Sequence, residues 1–348
     1  MVGTGHFIGP GDNGAKDVNI VGSQRNEIGT QDLGVRESRS ARAQRTIAHR
    51  IGCVGIGLHG GRKVSLTLLP AAADTGVMFV RTDLPGRPVI PAVADRVADT
   101  TMCTALVGAD DAKVATVEHL MAAFALAEID NVTVELDGPE VPIMDGSAAP
   151  FLFLLECAGV REQDRPLRRI EVIKPVVVEA AGKMARLDPA PFTSFAASIE
   201  FDHPAVGAQS LAVPFEPARL ARVLGPARTF GFAADIEQLR AMGLARGGSL
   251  DNAVVVGPEG VLNPGGLRFP DEFVRHKMLD AIGDTFLAGA PIIGRWTGHR
   301  AGHALHVKLV RALLADRSAW RYVDDADEAV DLRSGRSSRV AEPVAASA

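Results

Sequence analysis

Two stretches of the chain alternate apolar and polar residues with the period of a half-buried strand: residues 63–69 (KVSLTLL) and 131–136 (NVTVEL). Between them the period changes. Over residues 116–127, Leu120, Met121, Phe124 and Ala127 share one side of a predicted helix, and residues 148–158 predict a second, strongly apolar one. The polar run REQDRPLRR (161–169) then breaks the pattern and is the best candidate domain boundary. Beyond it the theme returns. Strands are predicted near 170–178, 195–201 and 253–256, and helices near 217–223, 271–288 and 304–315. Strands and helices segregate without a sustained βαβ rhythm, which predicts an α+β fold rather than a doubly wound sheet.

A length of 348 residues suits two domains. Residues 1–43 are polar, Gly-rich and aperiodic and read as a disordered extension. The expected domains are 44–165 and 166–323, followed by an acidic and then flexible tail, 324–348. Apolar residues at 47% and charged residues at 23% describe an ordinary globular chain. A net charge of −5, with no long run of Lys or Arg, gives nucleic acid nothing to bind. Three cysteines do not make a disulfide framework and fit a reducing compartment. No apolar run reaches the ~18 residues of a membrane span, and the first residues do not have the form of a secretory signal. The cytoplasm is therefore the expected location.

Candidate chemistry concentrates in three segments. In DEFVRHKMLDAIGD (271–284), Val274, Met278 and Ile282 mark a buried helical stripe, while His276 and Asp280, four apart, share another face that Asp284 extends. Such a pair offers an imidazole nitrogen and a carboxylate oxygen to one metal ion; it is equally a hydrogen-bonded pair on a charged surface. Glu118–His119, near a helix start, offers a base and a third ligand, or a capping carboxylate beside a structural histidine. In GHRAGHALHVKL (298–309), His303 opens a helical run, where the dipole disfavours its charged form and a carboxylate such as Asp284 would favour it. A second metal site from His299, His303 and His306 would need loop geometry that the sequence does not supply. Thr229 and Phe230, in ARTFGF (227–232), suit a substrate-contacting loop. Cys103 has no cysteine near it and reads as packed.

The segments GIGLHGG, TMCT, TVEHLMAA, IDN, EVPIMDGSAAPF, ARTFGF, GLRFPDEFVRHKMLDAIGD and AGHAL together resemble the UDP-3-O-acyl-N-acetylglucosamine deacetylases. They follow that family's order over about residues 44–322. The resemblance implies two similar α+β domains, each a sheet with a helical layer, the helical layers facing each other with the active site between. It implies zinc ligands His119, His276 and Asp280, with Fe²⁺ as an alternative ion. Glu118 would be the general base, His303 a charged partner oriented by Asp284, and Thr229 a group near the developing oxyanion. Lys277 would lie near the carbonyl or nucleotide end. Phe201 matches the uracil-stacking aromatic more loosely, because the segment after it is shorter here. The acyl passage would run around Ala233, Ile236 and Leu239. The implied reaction is hydrolysis of the N-acetyl group of UDP-linked, 3-O-acylated N-acetylglucosamine, early in lipid A synthesis in Gram-negative bacteria, by a monomer without nucleic acid or stable membrane insertion. A catalytically silent sugar-nucleotide binder would have lost Glu118 or a ligand, and a zinc peptidase would carry HExxH; neither holds.

Overall fold

The computed structural model describes residues 42–324. The expectations for the extension, up to residue 41, and for the tail, 325–348, lie outside the described residues.

The alternating stretches form neighbouring strands. Lys63–Pro70 buries Val64, Leu66 and Leu68, and Val132–Leu136 buries Val132, Val134 and Leu136. They sit inside a five-stranded sheet with the order Ile51–Ile56, Lys63–Pro70, Val132–Leu136, Val77–Arg81, Val89–Pro91. A second five-stranded sheet has the order Val176–Ala180, Lys183–Asp188, Arg295–His299, Ser194–Glu200, Ala208–Pro214. Numbered in chain order within its own sheet, each reads 1-2-5-3-4, with the 5–3 pair parallel and every other pair antiparallel. The two sheets therefore repeat one topology that no short sequence repeat announces.

A parallel pair cannot be closed by a hairpin, so the chain must cross over before its fifth strand. Six α-helices are described: α1 (Glu118–Leu126), α2 (Ala149–Ala158), α3 (Pro217–Val223), α4 (Ile236–Ala241), α5 (Glu272–Phe286) and α6 (His303–Ala315). In the first repeat α1 precedes the fifth strand and α2 follows it; in the second, α5 precedes and α6 follows. Helix α5 packs against both α1 and α6. This contact brings together the crossover helices of the two repeats, and with them the polar residues that the sequence places on α1, α5 and α6. Phe79, Phe124, Phe151 and Phe273 are among the largest fully buried side chains of a core shared by both repeats. No helix among the described residues is long and apolar enough to cross a membrane.

Two expectations are corrected, for the strand near 170–178 and the helix from 116. The polar run 161–169 itself falls largely in paired strands: Val160–Pro166 pairs antiparallel with Ala43–Ile47, and Arg168–Val172 pairs with Trp320–Asp324 and Ile292–Ile293. Val160–Pro166 is almost wholly exposed, so it carries no alternating signature. The strand expected over 170–178 is two strands in different sheets, Arg168–Val172 and Val176–Ala180. The helix expected from Thr116 begins at Glu118, because Thr116 lies at φ +59°, outside the helical region.

Candidate active site

His276 and Asp280 lie one turn apart on α5, both buried, and His119 faces them from the first turn of α1. Their ligating atoms all lie within 4.8 Å of one another. His119 Nε2 is 3.6 Å and His276 Nε2 3.4 Å from Asp280 Oδ1. The two rings stand edge to face, with centroids 4.9 Å apart. Burial drives the His276 imidazole down to about 3, so it is neutral. Its Nδ1–H donates to the Ala227 carbonyl at 3.0 Å, which leaves the Nε2 lone pair free. Burial alone would raise the Asp280 carboxyl, but His276 and the Lys277 ammonium outweigh it and hold the group well below the usual carboxylate range. Lys277 Nζ takes Asp280 Oδ2 at 3.0 Å. Asp280 Oδ1 is buried without any hydrogen-bond partner. A buried, ionised, unpartnered oxygen facing two imidazole nitrogens is costly for a protein on its own and fits a divalent cation of borderline softness.

A second cluster adjoins the first. Glu118, beside His119, is 3% exposed; burial raises its carboxyl, and the nearby histidines only partly oppose that. His303, the first residue of α6, points Nε2 at Glu118 Oε1, 3.9 Å away, and donates through Nδ1 to Asp284 Oδ2 at 2.8 Å. Burial, like the helix dipole, would hold this imidazole neutral. The Asp284 and Glu118 carboxylates outweigh burial and raise it to about 9. Asp284 is driven the other way, to about 2: burial opposes the shift, while His303 and His306 stabilise the anion. The cluster therefore sets a carboxylate inclined to take a proton beside an imidazolium inclined to keep one, a division of labour typical of acid–base sites.

Phe230 stands beside the first cluster. Its ring lies 6.4 Å from that of His276 and 4.9 Å from Phe273, with Lys277 Nζ 5.4 Å above it. Phe201 and Phe232 extend the aromatic wall: Phe201 lies 5.6 Å from each of Phe230 and Phe232. Thr229 is half-buried, its N–H held by the Gly146 carbonyl and its own carbonyl accepting from Val254; its hydroxyl has no protein partner among the described residues. This loop is clamped by a buried ion pair. Glu272, fully buried, accepts from Arg228 N–H at 3.0 Å and from its Nε at 2.8 Å, and takes the Arg268 N–H as well. The clamp fixes Ala227, whose carbonyl orients His276.

The sequence-predicted residues thus divide. His119, His276, Asp280, Glu118, Asp284, His303, Lys277 and Phe230 converge, and Phe201 joins them through the aromatic wall. Ile236 is half-buried at the start of α4. His299 lies apart, exposed on a strand end beside Ser198 Oγ at 3.0 Å. Cys103 is buried as expected; burial and Glu118 push its thiol to about 12, too high for a ready ligand. Three further residues touch these clusters in contacts that the sequence reading does not assign. His306 donates through Nδ1 to the same Asp284 oxygen as His303, at 2.8 Å, and its position one turn on from His303 was the available signal. Thr104 bonds both Glu118 and Asp284. Glu140 accepts from His59 N–H, Gly60 N–H and the Thr116 hydroxyl, holding the GLHGG turn. Local spacing announces neither of these last two.

The chain resembles a protein of Myxococcus xanthus called UDP-3-O-acyl-N-acetylglucosamine deacetylase, with 54% identity over 281 residues, 80% of this chain and 89% of that one. Proteins of the same name from Shewanella sp. (strain W3-18-1) and Shewanella oneidensis are each 48% identical over 290 residues, covering 82% of this chain and 94% of theirs. The family model described as UDP-3-O-acyl N-acetylglycosamine deacetylase matches residues 44–315, a span that holds both repeats and both polar clusters, and the chain belongs to that family.

Proposed function

We propose that His119, His276 and Asp280 hold one catalytic Zn²⁺, and that the chain uses it to hydrolyse the N-acetyl group of UDP-linked, 3-O-acylated N-acetylglucosamine to the free amine and acetate, early in lipid A synthesis. The observation that carries the reading is the Asp280 oxygen, buried and unpartnered between two imidazole nitrogens. Three protein ligands leave room for reactants, as catalytic zinc sites do; Fe²⁺ suits the same donor set. When bound, the ion supplies Lewis acidity that polarises the acetyl carbonyl and acidifies water.

The remaining work falls to the chain's own side chains. Glu118, raised by burial, takes the proton from the attacking water. The His303 imidazolium, held charged by Asp284, faces the negative charge that develops on the carbonyl oxygen, together with the Thr229 hydroxyl. Glu118 and His303, 3.9 Å apart, both lie in reach of the departing amine, and either can return the proton it needs. Phe230, Phe201 and Lys277 suit the sugar-nucleotide: aromatic faces for a base or sugar ring and a cation for phosphate. We assign the acyl passage to the segment around Ile236, and keep the domain division between residues 165 and 166, close to where strand pairing changes partners. The reading takes the chain to act as a cytoplasmic monomer, without nucleic acid.

Acetate release from the UDP-sugar with and without its 3-O-acyl chain, run beside metal analysis of the same preparation, tests this. Metal-dependent release that requires the acyl chain is expected. Release without metal, or turnover of unacylated sugar at an equal rate, would overturn it.

A further inference from the structure

The catalytic residues leave one oxygen of each carboxylate to be accounted for. Glu118 turns Oε1 towards His303 Nε2, and Asp284 turns Oδ2 to His303 Nδ1. The other two oxygens meet on one residue. Glu118 Oε2 accepts from the Thr104 backbone N–H at 3.0 Å, and Asp284 Oδ1 accepts from the Thr104 hydroxyl at 2.6 Å. Thr104, Glu118, His303 and Asp284 therefore form a closed ring of polar contacts that joins α1, α5, α6 and the loop before strand Ala105–Val107. We propose that Thr104 is the positioning residue of this site, aiming the two carboxylates at opposite nitrogens of the His303 ring.

Thr104 is suited to the task. It is fully buried, so no water competes for its donors. Its carbonyl accepts from Val117 N–H at the start of α1, which fixes its backbone to the helix that carries Glu118. A carboxylate pivots about one bond, so fixing one oxygen fixes the direction of the other. Without the hydroxyl, Asp284 loses a donor to its anion in a dry setting, and Oδ1 no longer sets the angle at which Oδ2 meets His303. Its remaining donors are His303 and His306 on the single oxygen Oδ2. The charge then falls more heavily on His303, whose proton is held more tightly. The charged and titratable groups around that ring are Asp284, Glu118 and Asp280, with His306 at a centroid distance of 6.2 Å and His59 within electrostatic range.

The inference rests on the deacetylase reading for its kinetic arm and not for its spectroscopic one. Thr104→Val keeps the shape and the N–H and removes the hydroxyl; Thr104→Ser restores the donor. With metal-loaded protein, Thr104→Val is expected to lower kcat about 10–100-fold, the usual cost of an outer-shell orienting group. KM and metal content should stay near wild type, and Thr104→Ser should recover most of the rate. The His303 ring, followed by nitrogen NMR without substrate, should titrate at higher pH in Thr104→Val than in wild type. A wild-type kcat in the valine variant, an unmoved His303 titration, or a serine variant as slow as the valine one would each overturn the assignment. Should wild-type protein release no acetate, the function would fail while the NMR titration still decided the role of Thr104; a valine variant that does not fold leaves the serine variant and the wild-type titration, where a His303 midpoint at or below that of a free histidine would also refute the ring.

Discussion

Gly283 of α5 packs directly against the backbone of Glu118 on α1: a Cβ on Gly283 would overlap the Glu118 carbonyl oxygen. Glycine here is required by space, not by backbone conformation, since Gly283 is helical. The obstacle is backbone, which cannot swing aside.

Gly283→Ala should therefore push the helices apart. Alanine gains up to about 1 kcal/mol in helix propensity, but overpacking costs about 1–3 kcal/mol, so a lowered urea midpoint is expected. The larger consequence is at the site. His119 follows Glu118, while Asp280 and His276 lie one and two turns back from Gly283, so separation opens the trio. Metal affinity measured by competition with a chelator should fall by at least about 10-fold, as it does when ligand support is lost. An unchanged affinity would mean that the trio does not depend on this contact.

His276→Ala should lose metal and activity together, because two ligands hold zinc weakly. The structure adds a second expectation: removing the ring leaves Asp280 Oδ1 with one imidazole neighbour in a buried site, so apo stability should change less than holo stability. Calorimetry with and without zinc measures both. Full metal occupancy in the variant would remove His276 from the ligand set.

How much of this was legible in sequence depends on how local each cause is. Helices α1, α5 and α6 carry apolar stripes of helical period, and the His276–Asp280 spacing is local to one helix, so both could be read directly. The strand Val160–Pro166 could not, because a strand exposed on both faces has no alternation and its polar run resembles a linker. The Thr104 bridge could not either: its partners lie 14 and 180 residues away, and a threonine hydroxyl satisfied by a distant carboxylate leaves no trace in its neighbours. His306 is visible in the sequence beside His299 and His303, but its partner Asp284 lies on another helix, and no local spacing shows that contact. The repeated 1-2-5-3-4 topology is a property of pairing rather than of residue identity, so the sequence showed only its echo.

The pairing of Asp284 with His303 predicts a pH effect of definite sign. The carboxylates hold His303 protonated up to about 9, so the charged form that the proposed mechanism uses is lost as pH rises through that value. Asp284→Asn removes the adjacent negative charge, and the imidazolium is then opposed by burial and the helix dipole. The alkaline limb of the pH–rate profile should move to lower pH, and kcat at neutral pH should fall. A limb in the wild-type position, with activity retained, would break the link between Asp284 and the charge of His303.

Glu118→Gln separates the roles of base and ligand. Glu118 lies outside both groups whose ligating atoms converge, His119–His276–Asp280 and Asp284–His303–His306, and its two oxygens are turned to Thr104 N–H and to His303. The amide oxygen of glutamine can still accept from Thr104, so shape and local packing persist while basicity is lost. Removing a general base costs about 10²–10⁴-fold in rate, and kcat should fall within or beyond that range. KM should change little, because the amide still offers hydrogen bonds, and metal content should stay near that of wild type. A further consequence follows from charge: His303 loses one of the three carboxylates that raise it, so whatever activity remains should show an alkaline limb shifted to lower pH, by less than in Asp284→Asn, which loses the direct 2.8 Å partner. Metal stoichiometry, kcat and the pH profile measured on one preparation decide the matter. Lost metal would make Glu118 a ligand. Retained metal with near-normal kcat would pass the base role to another group, with His303 the first candidate.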